Sequence, residues 1–237
     1  MIPPLLAPST ALFLDFDGTL APIQSDPDTV SLPDGGDEIL LRLADKLDGA
    51  LVVISGRDVR DIAARIPLGI WRAGGHGAYI CPPGVSAPET LPEAPADLVS
   101  AMRQCLEAKT GVRLEGKGPV LAVHFRQAPE LAAQLEADIS ALIKAFPDYT
   151  LQSGKMVIEA RPLSAHKGKC IRELMTSQTF PGRVPLMVGD DTTDEDAMQV
   201  SLELGGMAIK VGAGDSVAPY RLAGPADVWD WLKKGLT

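Results

Sequence analysis

A chain of 237 residues with 46% hydrophobic content can bury a sizeable core, as one large domain or two small ones, which excludes a disordered segment or a disulfide-stapled miniature. Its 22 basic against 31 acidic residues leave a net charge of −9, which argues against a nucleic-acid surface, because neutralising backbone phosphates takes a basic patch. Cys81, Cys105 and Cys170 are widely spaced and form no CxxC pair, Pro8 interrupts the first apolar stretch, and nothing approaches the ~20 apolar residues of a membrane span, so a cytoplasmic protein with reduced thiols and no membrane partner is expected.

Ala11 to Leu14 is a short apolar run that reads as a buried strand, and it stops at Asp15-Phe16-Asp17-Gly18-Thr19. Such runs suit a parallel sheet, whose loops emerge at the carboxyl edge where open α/β sheets bind ligands. In extended chain, residues two apart face the same side, so Asp15 and Asp17 could address one centre, with Gly18 permitting a sharp turn and Thr19 adding a hydroxyl. These oxygens suit a phosphate held through a hard divalent cation; for two acids alone, a turn that caps a helix is the plainer reading. A loop rich in Pro, Asp and Gly follows, and helical spacing begins near Asp37, supplied by Leu40, Leu41, Leu43, Ala44 and Leu47. Ala50 to Ile54 repeats the first pattern and ends in Ser55-Gly56-Arg57. Here a hydroxyl and a guanidinium suit a phosphate, or simply open the helix expected over residues 58–66. A third strand over residues 69–73 runs into glycines that put His76 in a turn.

From about Cys81 a Pro-rich connection marks a domain boundary. Beyond it come a helix over residues 97–109, a hairpin turning at Gly116-Lys117-Gly118-Pro119, a helix from near Pro129, and a hairpin turning at Ser153-Gly154-Lys155. The pattern predicts an α+β insert with an antiparallel sheet, residues 83–162, interrupting a core made of residues 1–82 and 163–237. Glu115, Lys117, His124, Arg126, Lys155 and Glu159 alternate with apolar neighbours there. Each alone reads as the solvated face of a half-buried sheet; as a set, mixed acids and bases suit a polyhydroxylated ligand, whose hydroxyls both donate and accept.

The core resumes with Lys167 at the start of a helix carrying Cys170, Ile171 and Leu174. An ammonium there opposes the helix dipole, which points to a nearby anion. Pro185 to Val188 is a further buried strand, followed by Gly189 and five acids within seven residues: Asp190, Asp191, Asp194, Glu195 and Asp196. That density repels itself unless a cation is present. An EF-hand loop is set aside, because Glu195 stands where such a loop needs Gly. Met207 to Val211 is the fifth core strand, and a helix around residues 228–232 with Trp229 and Trp231 closes the chain. No internal repeat, GxGxxG or P-loop is present.

Taken together, DFDGT, SGR, HKG and GDDTTDED resemble, in order and spacing, the four motifs of the haloacid dehalogenase superfamily of phosphohydrolases. HGAYI, EGKGPVLAVHFR and SGKMVIEARP narrow the likeness, resembling trehalose-6-phosphate phosphatases, with the departure that Met198 follows Ala197 where that family more usually has an aromatic residue. The resemblance implies a Rossmann-like parallel-sheet core with an inserted α+β cap of the C2 type, and a small-molecule sugar phosphate as substrate; a monomer is the default state.

Hydrolysing a phosphate monoester requires nucleophile, phosphorus and leaving oxygen in line, with the spreading charge offset. Asp15 is the expected nucleophile, forming an aspartyl-phosphate, and Asp17 the expected acid and then base. Mg²⁺ is expected on the Asp15 carboxylate, the Asp17 backbone carbonyl and Asp190, with Asp191 and Asp194 behind these or on metal-bound waters. Thr19, Ser55 and Lys167 would grip the equatorial phosphate oxygens. Similarity to the family adds Lys117, His124, Arg126, Lys155 and Glu159 as sugar or phosphate contacts, with Gly18, Gly56, Arg57, His76 and Glu115 as further substrate contacts. Sucrose-phosphate phosphatases, mannosyl-phosphoglycerate phosphatases and phosphomannomutases share the core motifs. A non-catalytic sugar-phosphate sensor would be expected to lack a core carboxylate, and none is missing.

Overall fold

Strand β1 (Thr10–Leu14) has all five residues buried, as a strand covered on both faces of a parallel sheet must. Helix α1 (Gly36–Lys46), the fully buried strand β2 (Leu51–Ile54), helix α2 (Val59–Arg65), strand β3 (Trp71–Gly74) and strand β4 (Tyr79–Cys81) follow. Next come helix α3 (Ala96–Leu106), strands β5 (Arg113–Lys117) and β6 (Val120–His124), helix α4 (Ala132–Ile143), and strands β7 (Tyr149–Gly154) and β8 (Val157–Pro162). Helix α5 (Lys167–Thr176), strand β9 (Val184–Gly189), helix α6 (Thr192–Glu203), strands β10 (Met207–Val211) and β11 (Tyr220–Leu222) and helix α7 (Pro225–Lys234) complete the chain. The computed structural model describes residues 2–154, 156–177 and 179–237. No helix among them is long and apolar enough to cross a membrane.

These elements form two units, of which the first comprises Met1–Ala87 and His166–Thr237. It holds a seven-stranded sheet in the order β11-β10-β9-β1-β2-β3-β4, parallel throughout except for β3 with β4. From the central β1 the chain builds outward through β2 and β3, then returns to the other side of β1 with β9. The strand order therefore reverses between β1 and β9, which in open α/β sheets is where ligands bind. Register pairs Leu14 with Val188, and the Asp15 amide donates to the Val188 carbonyl at 3.0 Å. Both acidic strand ends consequently emerge side by side. Helix α7 is tied down by its indoles: Trp229 Nε1 donates to the Leu20 carbonyl at 2.8 Å and Trp231 Nε1 to the Pro4 carbonyl at 2.9 Å, so each ring is buried with its N–H satisfied.

The second unit, Pro88–Ala165, carries a four-stranded antiparallel sheet in the order β5-β6-β8-β7. Its core joins Leu98 and Met102 of α3 and Leu135 and Ile139 of α4 to Leu121, Val123 and Ile158 of the sheet.

Several local features differ from the sequence expectation. The core sheet has seven strands rather than five, because β4 and β11 are three-residue, half-buried edge strands too short to display an alternation. Gly116 and Lys117 belong to β5, and the first hairpin turns at Gly118-Pro119, with Gly118 at a φ of 60°. Ser153 and Gly154 likewise belong to β7, and Lys155, the third residue of the expected turn, lies outside the described residues. The helix expected near Pro129 opens as a 3-10 turn, Pro129–Leu131, before α4 begins.

Leu12 is fully buried in the central strand. Leu12→Ala should lower the unfolding free energy by about 2–5 kcal/mol in urea titrations, against about 0.5 kcal/mol or less for Leu41→Ala on the exposed face of α1. Equal losses would contradict this placement of the core.

Candidate active site

Where β1 ends, the backbone stops alternating. The amides of Leu20 and Ala21 both donate to the Phe16 carbonyl at 2.9 Å, making residues 16–21 a tight turn. Gly18 sits in it with a φ of 82°, and a Cβ there would fall 2.2 Å from Asp190 Oδ2, so only glycine lets the Asp190 carboxylate approach. Thr19 Oγ1 lies 3.5 Å from Asp190 Oδ1. The end of β9 obeys the same constraint, since a Cβ on Gly189 would lie 2.3 Å from Asp194 Cγ.

The loop after β9 is held by its own acids. Asp194 Oδ2 accepts from the amides of Asp190 at 2.9 Å and Asp191 at 3.1 Å. Asp191 caps α6 in return, accepting from the Thr193 amide at 2.8 Å, the Thr193 hydroxyl at 2.7 Å and the Asp194 amide at 3.1 Å, a reciprocal capping box. Lys167, the first residue of α5 and only 2% exposed, donates at 2.7 Å to Asp15 Oδ1 and at 2.7 Å to Asp194 Oδ1. These two carboxylates are the anions that an ammonium at a helix amino terminus calls for.

Burial dominates the electrostatics. It pushes Asp15 up to about 7 against the pull of Lys167, with Asp190 and Asp191 adding repulsion. Asp194 is likewise raised to about 7 by burial and then by Asp15, and Asp190 to about 6 by burial and then by Asp194. Burial works against the Lys167 ammonium too, yet Asp15 and Asp194 together raise its pKa. Asp191 is lowered: Lys167 and the Thr193 hydroxyl outweigh burial there.

Carboxylate oxygens of Asp15, Asp190 and Asp194 lie within 4.8 Å of one another. One ammonium faces three acids, leaving two negative charges unbalanced in a buried, all-oxygen donor set. That chemistry fits a hard divalent cation such as Mg²⁺.

The sequence expectation differs in two respects. Asp194 lies within this cluster rather than only behind it. The Asp17 carboxylate turns to Arg57 instead of joining Asp15: Arg57 Nε donates to Asp17 Oδ2 and Nη2 to Asp17 Oδ1, both at 2.7 Å. Two-residue alternation ended with β1 at Leu14, so nothing aligns the two side chains. Arg57 also donates to Asp61 Oδ2 at 2.8 Å and lies 5.5 Å above the Phe16 ring. Ser55 is buried and its Oγ accepts from the Arg57 amide at 3.1 Å, the plainer role of opening a turn. His76, at a φ of 56°, donates its amide to the Ser55 carbonyl at 2.8 Å, and its ring lies 2.7 Å from where a Cβ of Gly56 would stand.

In the inserted unit, strand register puts Glu115, Ala122, Glu159 and Gln152 in one row across the sheet. His124 Nε2 lies 2.7 Å from Glu115 Oε2, and Lys117 Nζ 3.8 Å from Glu159 Oε1. Arg126 is exposed just beyond β6 and borders, with Gly111, Arg113, His124 and Gln127, a hollow of about 570 Å³. Arg113 and Gln127 carried no sequence signal beyond being polar. Lys155 lies outside the described residues. Lys210 of β10 was also not legible: its side chain is 6% exposed, and its Nζ donates to the Asp190 carbonyl at 2.6 Å. A second hollow, of about 350 Å³, lies beside Gly18 and Asp190 and is walled by Pro22, Ile23, Gly212 and Ala213.

Comparison with known proteins bears on this geometry. The trehalose-phosphatase family profile matches residues 13–226. The chain is 40% identical, over 237 aligned residues, to the trehalose-6-phosphate phosphatase of Escherichia coli K12, an alignment spanning 97% of this chain and 88% of that protein. Among solved structures it superposes on the Aspergillus fumigatus trehalose-6-phosphate phosphatase with a TM-score of 0.74 at 25% identity, covering 96% of this chain and 92% of that one. A haloacid dehalogenase-like hydrolase from Bacteroides thetaiotaomicron superposes with a TM-score of 0.68 at 14% identity, covering 95% and 98% of the two chains, a likeness of fold alone.

Asp15 and Asp194, raised to about 7, bind their protons more tightly in the folded protein than in the unfolded chain, where carboxylates titrate near about pH 4. Their contribution to stability is therefore complete below about pH 4 and is lost as pH rises through about 7. Metal-free protein should melt at a lower temperature at about pH 8 than at about pH 5, and saturating Mg²⁺ should raise the melting temperature more at the higher pH. A cation effect equal at both pH values would contradict the cluster's charge excess.

Proposed function

The chain belongs to the trehalose-phosphatase family, and on that premise we propose that it hydrolyses trehalose 6-phosphate to trehalose and phosphate, a step of trehalose biosynthesis, with the phosphoryl group carried transiently by Asp15. The observation that carries this proposal is the buried meeting of Asp15, Lys167, Asp190 and Asp194 at the reversal of strand order.

Lys167 anchors one oxygen of Asp15, which fixes the plane of the carboxylate and leaves the second oxygen to attack phosphorus. Asp17 then protonates the departing sugar oxygen and later takes a proton from the water that hydrolyses the aspartyl-phosphate. A carboxylate with both oxygens engaged by one guanidinium has no proton to give, so Arg57 must release at least one oxygen of Asp17 during turnover. An incoming phosphate dianion competes for Arg57 and supplies the means. Thr19, Ser55 and Lys167 donate to the equatorial oxygens as charge spreads over them. Asp15, Asp190 and the Asp17 backbone carbonyl would hold Mg²⁺, with Asp194 and Asp191 fixing the loop that presents Asp190. When bound, Mg²⁺ supplies positive charge that orients the phosphate and offsets its developing charge.

The side-chain positions of Gly18 and Gly56 are taken up by the Asp190 carboxylate and the His76 ring, so to Gly18 and Gly56 we assign backbone contacts to the substrate, with His76 beside them. To the inserted unit we assign the sugar: Glu115, Lys117, His124, Arg126, Lys155 and Glu159 offer both donors and acceptors to hydroxyls.

A panel of sugar phosphates tests the assignment. Phosphate release should be fastest from trehalose 6-phosphate and poor from glucose 6-phosphate, should stop with a chelator and resume with Mg²⁺, and should fall more than about a thousandfold in Asp15→Asn. Preference for glucose 6-phosphate would refute the substrate, and full activity of Asp15→Asn would refute the nucleophile.

A further inference from the structure

We infer that Lys210 and Glu195 act as a positioning pair that sets the affinity of the site for its divalent cation by fixing the peptide of Asp190; this rests on the proposal that Asp190 holds that cation. Lys210 lies opposite Gly189 in the register of β10 with β9, one residue before Asp190. Its Nζ donates to the Asp190 carbonyl at 2.6 Å and pairs with Glu195 Oε1 at 3.2 Å. The amide of Asp190 is meanwhile taken by Asp194 Oδ2 at 2.9 Å. Both backbone polar groups of Asp190 are thus tied to side chains, although the residue lies beyond the last strand position and has no ladder partner of its own. Gly18 presses from the other side, where even one added carbon would meet the carboxylate at 2.2 Å. These contacts hold the Asp190 backbone on both sides and pack its carboxylate against Gly18.

Glu195 does more than neutralise Lys210. Its Oε2 accepts from the Ser216 hydroxyl at 3.1 Å and the Val217 amide at 3.0 Å, so one carboxylate joins the loop carrying Asp190 to the loop that follows β10. That second loop supplies Gly212 and Ala213 to the wall of the hollow beside Asp190. Neither Lys210 nor Glu195 belongs to the three-carboxylate cluster, and no step of hydrolysis runs through them.

Two physical effects of Lys210 oppose each other, which makes the inference testable by sign. An ammonium near a cation site repels the cation, so charge alone predicts tighter metal binding when Lys210 is removed. Positioning predicts weaker binding, because Asp190 loses the contact that aims it, and partners that orient ligands are worth about tenfold or more in metal affinity.

The test is titration of the metal-free, full-length protein with Mn²⁺, read by electron paramagnetic resonance and by calorimetry, independently of turnover. Lys210→Met should weaken Mn²⁺ binding by about tenfold, and Lys210→Arg should recover much of the loss. Glu195→Gln should also weaken binding by leaving the ammonium uncompensated, and the double variant should bind no worse than Lys210→Met, because the two side chains act as one unit. Wild-type or tighter binding by both single variants would overturn the inference. Should Lys210→Met fail to fold by circular dichroism, Glu195→Gln carries the test alone, and wild-type affinity in that variant would overturn it. Asp190→Asn separates the two levels of the proposal: retained Mn²⁺ affinity there would sink the assignment of Asp190 itself, whereas its loss beside normal binding in the Lys210 and Glu195 variants would sink only the positioning role.

Discussion

A single buried ammonium, Lys167, shared between Asp15 and Asp194 at 2.7 Å each, is the contact on which the rest of the site depends. Removing three charges from water is costly, and their mutual attraction repays the cost only when geometry and hydrogen bonding are both good. Here they are good: Asp194 spends its remaining oxygen on the amides of Asp190 and Asp191, and α5 and α6 are brought together by the same lysine. The arrangement still leaves more acid than base once Asp190 is counted, which is why Asp15, Asp190 and Asp194 are all raised. A divalent cation would remove that frustration, so that folding and metal binding would draw on the same excess charge.

Topology delivers these groups to one place. Asp15 follows β1, Asp190 follows β9, and the two strands are neighbours across the reversal in strand order, so residues 175 positions apart leave the sheet together. Two glycines then allow contact that any side chain would forbid, Gly18 against Asp190 and Gly189 against Asp194. Beside this cluster stands a contact that the proposed reaction would have to break. Arg57 holds both oxygens of Asp17, and proton transfer to a leaving group requires them free. In the proposed reaction the nucleophile would be locked while the acid is tethered, a division that would let substrate charge govern when proton transfer begins.

Much of this was legible in the sequence because parallel core strands announce themselves. Ala11 to Leu14 and Pro185 to Val188 are unbroken apolar runs that stop at acids, and the loops carrying chemistry follow directly. The edge strands β4 and β11 were not legible, since three residues cannot show a period and their pairing depends on the neighbouring strand. The first hairpin turn was displaced because Gly116 lies within β5 while the chain reverses a step later. The partnership of Asp17 with Arg57 links loops after different strands, and no local pattern encodes it. Lys210 escaped notice for a related reason. A lysine in a strand reads as solvated, and only the packing of Asp190 and Glu195 against it reveals that it is buried.

The covalent role proposed for Asp15 is the point on which the chemistry turns, and chemical trapping addresses it directly. Borohydride reduces an acyl phosphate to an alcohol, so enzyme quenched during turnover of trehalose 6-phosphate and reduced at once should carry homoserine in place of Asp15, identified by peptide mass spectrometry. Homoserine at position 15, and at no other aspartate, is the predicted result; an unmodified Asp15 in enzyme shown to be turning over would contradict it.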